Sequence, residues 1–517
     1  MALLLWAASM ATMKFELGPG GLVYCIPALY YLAFGLLAVS FALMVKYGAR
    51  TIDYAFSTTV LVLMLFTTPA LVEGVARISN SWDKYGYLDY ALRYEGLDRA
   101  RAFFHTWPGL YLLGVSIVDV TGLDPNGFLL MYPTMLMMAT VPVVVALAKA
   151  LGLDKTASWM AAWFFLIANW VDQEHFTSQG LGLTVALVLL LVAVKLLAKG
   201  SFDVKLMVCF VTFSALLFAT HFLTFLFTAC TILLFWLISP SRAAFGKVLA
   251  SKRNRVIMAV SVVAAVVAFV YIWDFASYYL STIFGGGPQV FEMFSGYLDK
   301  MFSGGAEHQL AVYVRVAFSG VVLALLAWWL LSIRKENPSR FKFMAAMVAS
   351  AIAPAFVLSY GGEILQRFFL FSLIPISLMM VALVKDRKAA AIVFVFALLL
   401  PVHLVAHYGN ERMDYMPASE IEATNFFFEH SLRGDVVVSG RNYLDHRDRE
   451  LHSNRAFTIS EIEGEGNRTV WVSSSLAETL DFYHGDTTTV PEADALLASG
   501  DFNKIYSNGR VEIFKTF

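Results

Sequence analysis

The chain has 517 residues, of which 58% are hydrophobic and 15% charged, with a formal net charge of -1 at pH 7. So much apolar surface does not fit inside a water-soluble core, so most of the chain is predicted to lie in lipid. The balanced charge leaves no reason to invoke nucleic acid or a strongly anionic partner. Three cysteines, Cys25, Cys209 and Cys230, lie within apolar runs and are odd in number, so they read as small membrane-buried side chains rather than a disulfide set.

Crossing the hydrocarbon core takes roughly 20 apolar residues, fewer where a helix ends in a protein-lined cleft. Taken in chain order, spans are predicted at 21–46, 52–72, 124–150, 156–171, 180–199, 205–219, 222–238, 256–274, 311–332, 343–360, 366–384 and 389–407. Residues 2–13 are apolar but short and add a further entering helix. The fold class is therefore an all-α polytopic membrane protein of about 12 to 13 transmembrane helices.

Half of the 38 lysines and arginines fall in a few short loops, around 46–50, 149–155, 195–205, 242–255, 334–342 and 385–388. Basic residues close to helix ends resist translocation, so these loops are assigned to the cytoplasm. The opposite set, 73–105, 172–179, 275–309, 360–366 and the chain after Tyr408, then faces outward. Counting 106–122 as a span would reverse every later loop and place the basic residues of 242–255 outside. Residues 107–120 are read instead as a helix at the outer interface, where Trp and Tyr are at home. Two domains follow, a membrane domain at 1–408 that includes the outer loop 73–122, and an α/β extracytoplasmic domain at 409–517.

In the second domain, strand-like runs at 435–439, 469–472 and 504–506 accompany helical stretches at 418–430, 476–482 and 491–498. Asn508-Gly509 between alternating apolar residues is a hairpin signal. Asn467-Arg468-Thr469 is a glycosylation sequon on the side assigned to the exterior.

The first outer loop is too long and aromatic for a mere connector. Asp83 follows Trp82, with Tyr87 and Tyr90 at helical spacing, and a carboxylate at the water-lipid boundary can take a proton from an acceptor hydroxyl or hold a divalent cation. A solvated helix with Asp/Arg pairs is the competing reading. The loop 172–179 sets Asp172, Glu174 and His175 between two helix ends, and with His105 and Asp83 they can form an acid/base or metal-binding cluster. Simple solvation of a tight turn explains them equally well. His221 divides two apolar runs, which suits either a residue facing a cleft or a polar helix connector. Glu363 and Arg367 lie four residues apart at a span mouth, and Arg315 enters another span from the same side. An arginine at headgroup level offers a planar fork of donors to a phosphate, or else snorkels beside a carboxylate.

The order of these features resembles the C-type glycosyltransferase superfamily, which includes protein O-mannosyltransferases and aminoarabinose transferases. The residues that carry the resemblance are Asp83 in the first outer loop, the His105-Thr106-Trp107-Pro108-Gly109-Leu110-Tyr111 segment, the basic turn 149–155, Asp172-Gln173-Glu174-His175, and Phe218-Ala219-Thr220-His221-Phe222. The chain departs from the pattern where Lys84 follows Asp83 in place of a Glu, where Gly109 stands for a second proline, and in lacking the Trp-Trp-Asp signature of oligosaccharyltransferases.

The resemblance implies inverting transfer of one sugar from a polyprenyl- or dolichyl-phosphate donor to an extracytoplasmic protein, lipid or glycan, at the plasma membrane. It implies Asp83, Glu174 and His105 as catalytic residues, and Arg367, Glu363, His175, His221, Arg315 and Tyr87 as substrate contacts. No cofactor is required, though Asp83 and Glu174 can hold a divalent cation, Mg or Mn. A transporter or flippase, or an envelope polymer ligase or polymerase, is the alternative.

Overall fold

A computed structural model describes residues 1–16, 18, 20–98, 103–199, 203–238, 270, 273, 277, 304–357, 364–430, 436–438, 455–456, 468–473 and 497–516. The predicted span at 256–274, the loop basic residues of 242–255, Glu363 and Asn467 fall largely or wholly outside these residues.

The membrane part is a bundle of α-helices. It begins with α1 (Ala2–Thr12), α2 (Leu22–Cys25), α3 (Ala28–Tyr47), α4 (Thr51–Val62) and α5 (Thr68–Glu73). Next come α6 (Ser79–Tyr94), α7 (Gly109–Thr121), α8 (Pro125–Ala150), α9 (Lys155–Ala168), α10 (Ser178–Lys199), α11 (Val204–Thr220) and α12 (Phe222–Ile238). Beyond them lie α13 (Ala306–Glu336), α14 (Pro338–Val357), α15 (Ile364–Phe371), α16 (Leu373–Val384) and α17 (Ala389–Tyr408). Among the described residues six helices are long and apolar enough to cross a membrane, counting α4 and α5 as one, with shorter apolar helices between them. The protein is an integral, multi-pass membrane protein.

A π-helical turn, Leu63–Thr67, joins α4 to α5. Pro69 has no N–H, so the carbonyls of Met64 and Leu65, five and four residues earlier, lose the donor that residue 69 would supply. Tyrosines replace it. Tyr30 Oη donates to the Met64 carbonyl at 2.8 Å, and Tyr408 Oη donates to that of Leu65. The bulge thereby ties the end of α17 to α5.

The basic loops converge at one end of the bundle. Lys155 Nζ donates to the Ala49 carbonyl at 2.7 Å, Arg340 Nε donates to the Leu151 carbonyl at 3.1 Å, and Lys385 pairs with Asp154. Between the ends runs a continuous apolar core in which Phe41 stacks on Trp163 at 3.8 Å, with Phe396 against both. At the other end α6 and α7 lie outside the long helices. With 13 residues α7 rises only about 20 Å, short of the hydrocarbon thickness.

After α17 come α18 (Glu411–Asp414) and α19 (Ala418–His430). A five-stranded sheet follows, with β1 (Val436–Val438), β2 (Arg455–Ala456), β3 (Arg468–Ser473), β4 (Phe502–Ser507) and β5 (Val511–Thr516) in the order β2-β1-β3-β5-β4. The β2-β1-β3 pairs are parallel and β3-β5-β4 antiparallel. Asn508 Oδ1 accepts the N–H of Val511 at 2.9 Å, and Gly509 takes φ +85°, the geometry that closes the β4–β5 hairpin. Ala423, Phe427, Trp471, Val511 and Ile513 form a core separate from that of the helices. Trp471 Nε1 donates to the Glu420 carboxylate at 3.1 Å and anchors α19 on the sheet.

Candidate active site

The chain turns from α9 into α10 through residues 169–177, where Thr177 Oγ1 accepts the Gly180 N–H at 3.0 Å and caps the second helix. Asp172, Glu174 and His175 project from this turn. Across from it α5 ends at Gly74, whose φ of +70° lets the chain leave the helix sharply and brings Arg77 back beneath the bundle. The position is held from outside the membrane part. Met416 N donates to the Arg77 carbonyl at 2.9 Å and Ile78 pairs with Tyr415 in a single antiparallel bridge.

Arg77 is buried among carboxylates. Its guanidinium pairs with Asp172, lies 3.6 Å from Glu411 Oε1, and sits 4.7 Å over the Tyr408 ring. Burial opposes its charge, but Asp172 and Glu411 outweigh that and hold its pKa above the ordinary value. Burial likewise would raise Asp172, yet Arg77 and then the two neighbouring histidines bring its carboxyl down to about 2. Glu174 is pushed the other way, first by burial and then by the charge of Asp172. Burial carries His175 down to about 4 despite Asp172, so its ring is neutral near neutral pH.

From the last turn of α17, His407 Nε2 comes within 2.7 Å of Glu174 Oε1 and 3.7 Å of Asp172 Oδ1. One ligand atom from each of Asp172, Glu174 and His407 lies within 4.8 Å of the others. Glu174 Oε2 is buried with no hydrogen-bond partner among the described residues. Two carboxylates and an imidazole converging on one point, with a buried oxygen unsatisfied, fit a divalent cation by donor type and spacing. A narrow cavity of about 40 Å³, room for a water or an ion, runs along Arg77, Asp172, Glu174, His175 and Tyr408.

Asp83 does not belong to that triad. It pairs with Lys84, whose ammonium also lies 3.9 Å over the Phe104 ring. One turn earlier on α6, Asn80 Nδ2 is 3.4 Å from His175 Nε2, so the Asp83 helix adjoins the cluster. His105 packs between Tyr87 and Tyr90, at ring distances of 5.4 and 5.2 Å, with its Nδ1 on the Asp98 backbone. It is thus built into the wall formed by α6. Burial lowers its pKa.

Arg315 donates from Nε at 2.5 Å to the carbonyl of Ala406, the residue before His407, and spreads 5.4 Å over the Trp170 ring. The Trp170 ring also meets that of Phe369, two residues beyond Arg367, at 5.6 Å. Arg367 in turn exerts its charge on His221 at the tip of the α11–α12 hairpin. His221 Nδ1 is 2.7 Å from Thr224 Oγ1, and the tip rests on α7 and α10. At Gly109 an added Cβ would fall 2.3 Å from Thr220 Oγ1 and 3.1 Å from the Ala219 carbonyl, which accounts for glycine where the resembled pattern has proline.

Sequence reasoning did not single out Glu73, Arg77, His407 and Glu411 as site residues. One signal marks His407 and Glu411, which with His403 recur every four residues where the last span ends; Glu73 and Arg77 are also four apart, but the left-handed Gly74 between them ends the helix and the shared face.

A bundle of short and long apolar helices, a short helix outside it in the first loop, an acidic turn between α9 and α10 and an appended α/β domain make up a fold that the chain shares with solved structures. Among solved structures, the chain is similar to the oligosaccharyltransferase of Archaeoglobus fulgidus in complex with Zn and sulfate, at 11% identity and a TM-score of 0.52, over 89% of this chain and 72% of that one. It is also similar to ArnT from Cupriavidus metallidurans bound to undecaprenyl phosphate, at 9% identity and 0.49, over 90% and 97%. A third is the arabinofuranosyltransferase AftD from Mycobacteria, at 14% identity and 0.45, where 78% of this chain spans 35% of that enzyme's length. No family model matches the chain, and no curated protein matches it.

Proposed function

We propose that the protein is a membrane glycosyltransferase that moves one sugar from a polyprenyl- or dolichyl-phosphate donor to an extracytoplasmic acceptor. The observation that carries this reading is the convergence of Asp172, Glu174 and His407 beside a buried Arg77 at one end of a bundle with this fold. In this reading that end, with the Asp83 helix and the α/β domain, faces outward, and the donor's tail stays in lipid.

The reaction is a single displacement at the anomeric carbon. An acceptor hydroxyl gives its proton to Asp83, its oxygen forms the new bond to the sugar, and the phosphate leaves with the electron pair of the broken bond, inverting the centre. Lys84 pairs with the Asp83 carboxylate and fixes it on α6. Asp172, Glu174 and His407 would hold a divalent cation, Mg or Mn, which supplies positive charge to the departing phosphate. Arg315 over the Trp170 ring and Arg367 near His221 add guanidinium charge toward the same anion. His105 and Tyr87 shape the acceptor side of the cleft, with His175 and His221 as neutral hydrogen-bonding groups along its rim.

The test is release of lipid phosphate. Purified protein is mixed with a labelled polyprenyl-phosphate sugar in detergent, and the freed lipid phosphate and the glycosylated acceptor are measured. Release coupled to transfer is expected. Movement of intact donor across a vesicle bilayer without release overturns the reading in favour of a transporter.

A further inference from the structure

At the opposite end of the bundle, α9 and α17 both begin where an open concavity of about 400 Å³ lies. Both helices run from it to the acid–imidazole cluster, which α9 reaches through the turn after Ala168 and α17 at His407. At 1.5 Å per residue the two sites are about 20 to 30 Å apart, the thickness of a hydrocarbon core. The concavity is therefore a separate site at the other membrane surface.

Its wall carries Lys46, Lys155, Lys385 and Arg387 against two carboxylates, Asp154 and Asp386. Asp154 is already engaged. It caps α9 by accepting the Ala157 N–H at 2.8 Å and pairs with Lys385. The four cations come from three loops distant in sequence, which the tertiary fold gathers around one hollow. The start of α17 borders it as well, through Arg387 and Ile392, and its N-cap Lys388 makes no side-chain cap hydrogen bond. A helix N-terminus carries partial positive charge and adds to the same field. Like-charged groups gathered in a hollow repel one another and are relieved by an anion. At the membrane boundary the anion that fits is a phosphate group with flanking hydroxyls.

We infer that this concavity binds the phosphate headgroup of an anionic phospholipid at the surface opposite the candidate active site. The apolar residues Val45 and Ile392 also line it. Lys155 and Lys385 also bind protein groups, the Ala49 carbonyl and Asp154, and so preform the hollow. Lys46 and Arg387 supply the adaptable charge. A phosphate monoester free in solution offers the same chemistry, and the test separates the two sources.

The full chain, in neutral detergent, is titrated with short-chain phosphatidylglycerol, with phosphatidylcholine and with inorganic phosphate, and thermal unfolding is followed. The expected result is stabilisation by phosphatidylglycerol that phosphatidylcholine does not match. In the Lys46→Gln/Arg387→Gln variant the midpoint concentration rises roughly ten- to thirty-fold, since each cation near an anionic headgroup counts for about 1 kcal/mol. Lys46→Arg/Arg387→Lys keeps the charge and retains the response, which separates loss of binding from loss of fold. Inorganic phosphate acting at comparable concentration, and weakened by the same variant, supports the site and assigns its ligand to solution. Equal stabilisation by both lipids, or a glutamine variant that responds as the parent does, overturns the inference. No sugar transfer is measured, so the result is independent of the proposed activity.

Discussion

His407, in the last turn of the last membrane helix, sets its Nε2 2.7 Å from Glu174 Oε1 in the turn between α9 and α10. The contact joins two helices that run side by side, and Asp172 completes it. If this triad holds a cation, Glu174→Gln and His407→Ala each remove a donor. Loss of one ligand is expected to weaken Mg or Mn binding by at least the roughly ten- to hundred-fold that loss of a ligand's outer hydrogen-bond partner costs, read by calorimetry on chelator-stripped protein, and sugar transfer should fall in parallel. Unchanged cation affinity in both variants would remove the triad from that role.

Asp83 stands on α6, outside the triad and one turn from Asn80, which touches His175. As proton acceptor it is isosterically disabled by Asp83→Asn. Transfer should drop by about 10² to 10⁴ while expression, detergent extraction and thermal stability stay near those of the parent. Turnover within a factor of a few of the parent would assign the proton to another group.

Much of the fold follows from one property of the sequence, the alternation of apolar runs with short basic or acidic turns. Eleven of the twelve predicted spans coincide with helices α3 to α5 and α8 to α17 because lipid leaves the backbone no alternative to helix over such runs. The acidic turn at Asp172 was legible for a related reason, since three ionisable groups in succession have to project somewhere polar. His407 was not, because it lies inside the run 389–407 and reads as the polar end of a span. Its meaning depends on which helix packs beside α17, information that periodicity within one segment does not carry. Arg77 was hidden differently. It lies among the charges of the first outer loop, and the left-handed turn at Gly74 brings it inward to Asp172.

Gly109 illustrates a packing constraint that composition does not display. In Gly109→Ala the new methyl meets Thr220 Oγ1 at 2.3 Å, so α7 must shift from the α11–α12 tip. A destabilisation of about 1 to 3 kcal/mol is expected, measured as a lowered unfolding temperature. Adding Thr220→Ala removes the nearest atom but leaves the Ala219 carbonyl at 3.1 Å, so recovery should be partial. Full stability in the single variant would mean that α7 does not seat on this tip.

The packing of His105 against Tyr87 and Tyr90 makes the first loop sensitive to acid. Burial lowers the His105 pKa, so the folded state resists a proton that the unfolded chain accepts below about 6.5. Its contribution to stability is full above that pH and is lost as pH falls through the lowered folded value. The unfolding temperature should decline on acidification from neutral pH, and His105→Gln should flatten that part of the curve. An unaltered slope in the variant would place the acid sensitivity elsewhere.

Arg77 has the largest predicted structural effect because two elements depend on its charge. Asp172 and Glu411 both meet its guanidinium, and Glu411 also accepts the Leu22 N–H, so the start of α2 is linked to the same residue. Arg77→Met would leave the two carboxylates facing each other without a counterion, a loss of about 3 to 5 kcal/mol for a broken buried pair. Arg77→Lys keeps a charge but cannot present parallel donors to both, and should recover only part of that loss. Thermal unfolding of the three proteins in detergent ranks them. If lysine serves as well as arginine, one ion pair rather than the two-sided bridge holds this end together, and Glu411 is retained for its bond to Leu22 alone.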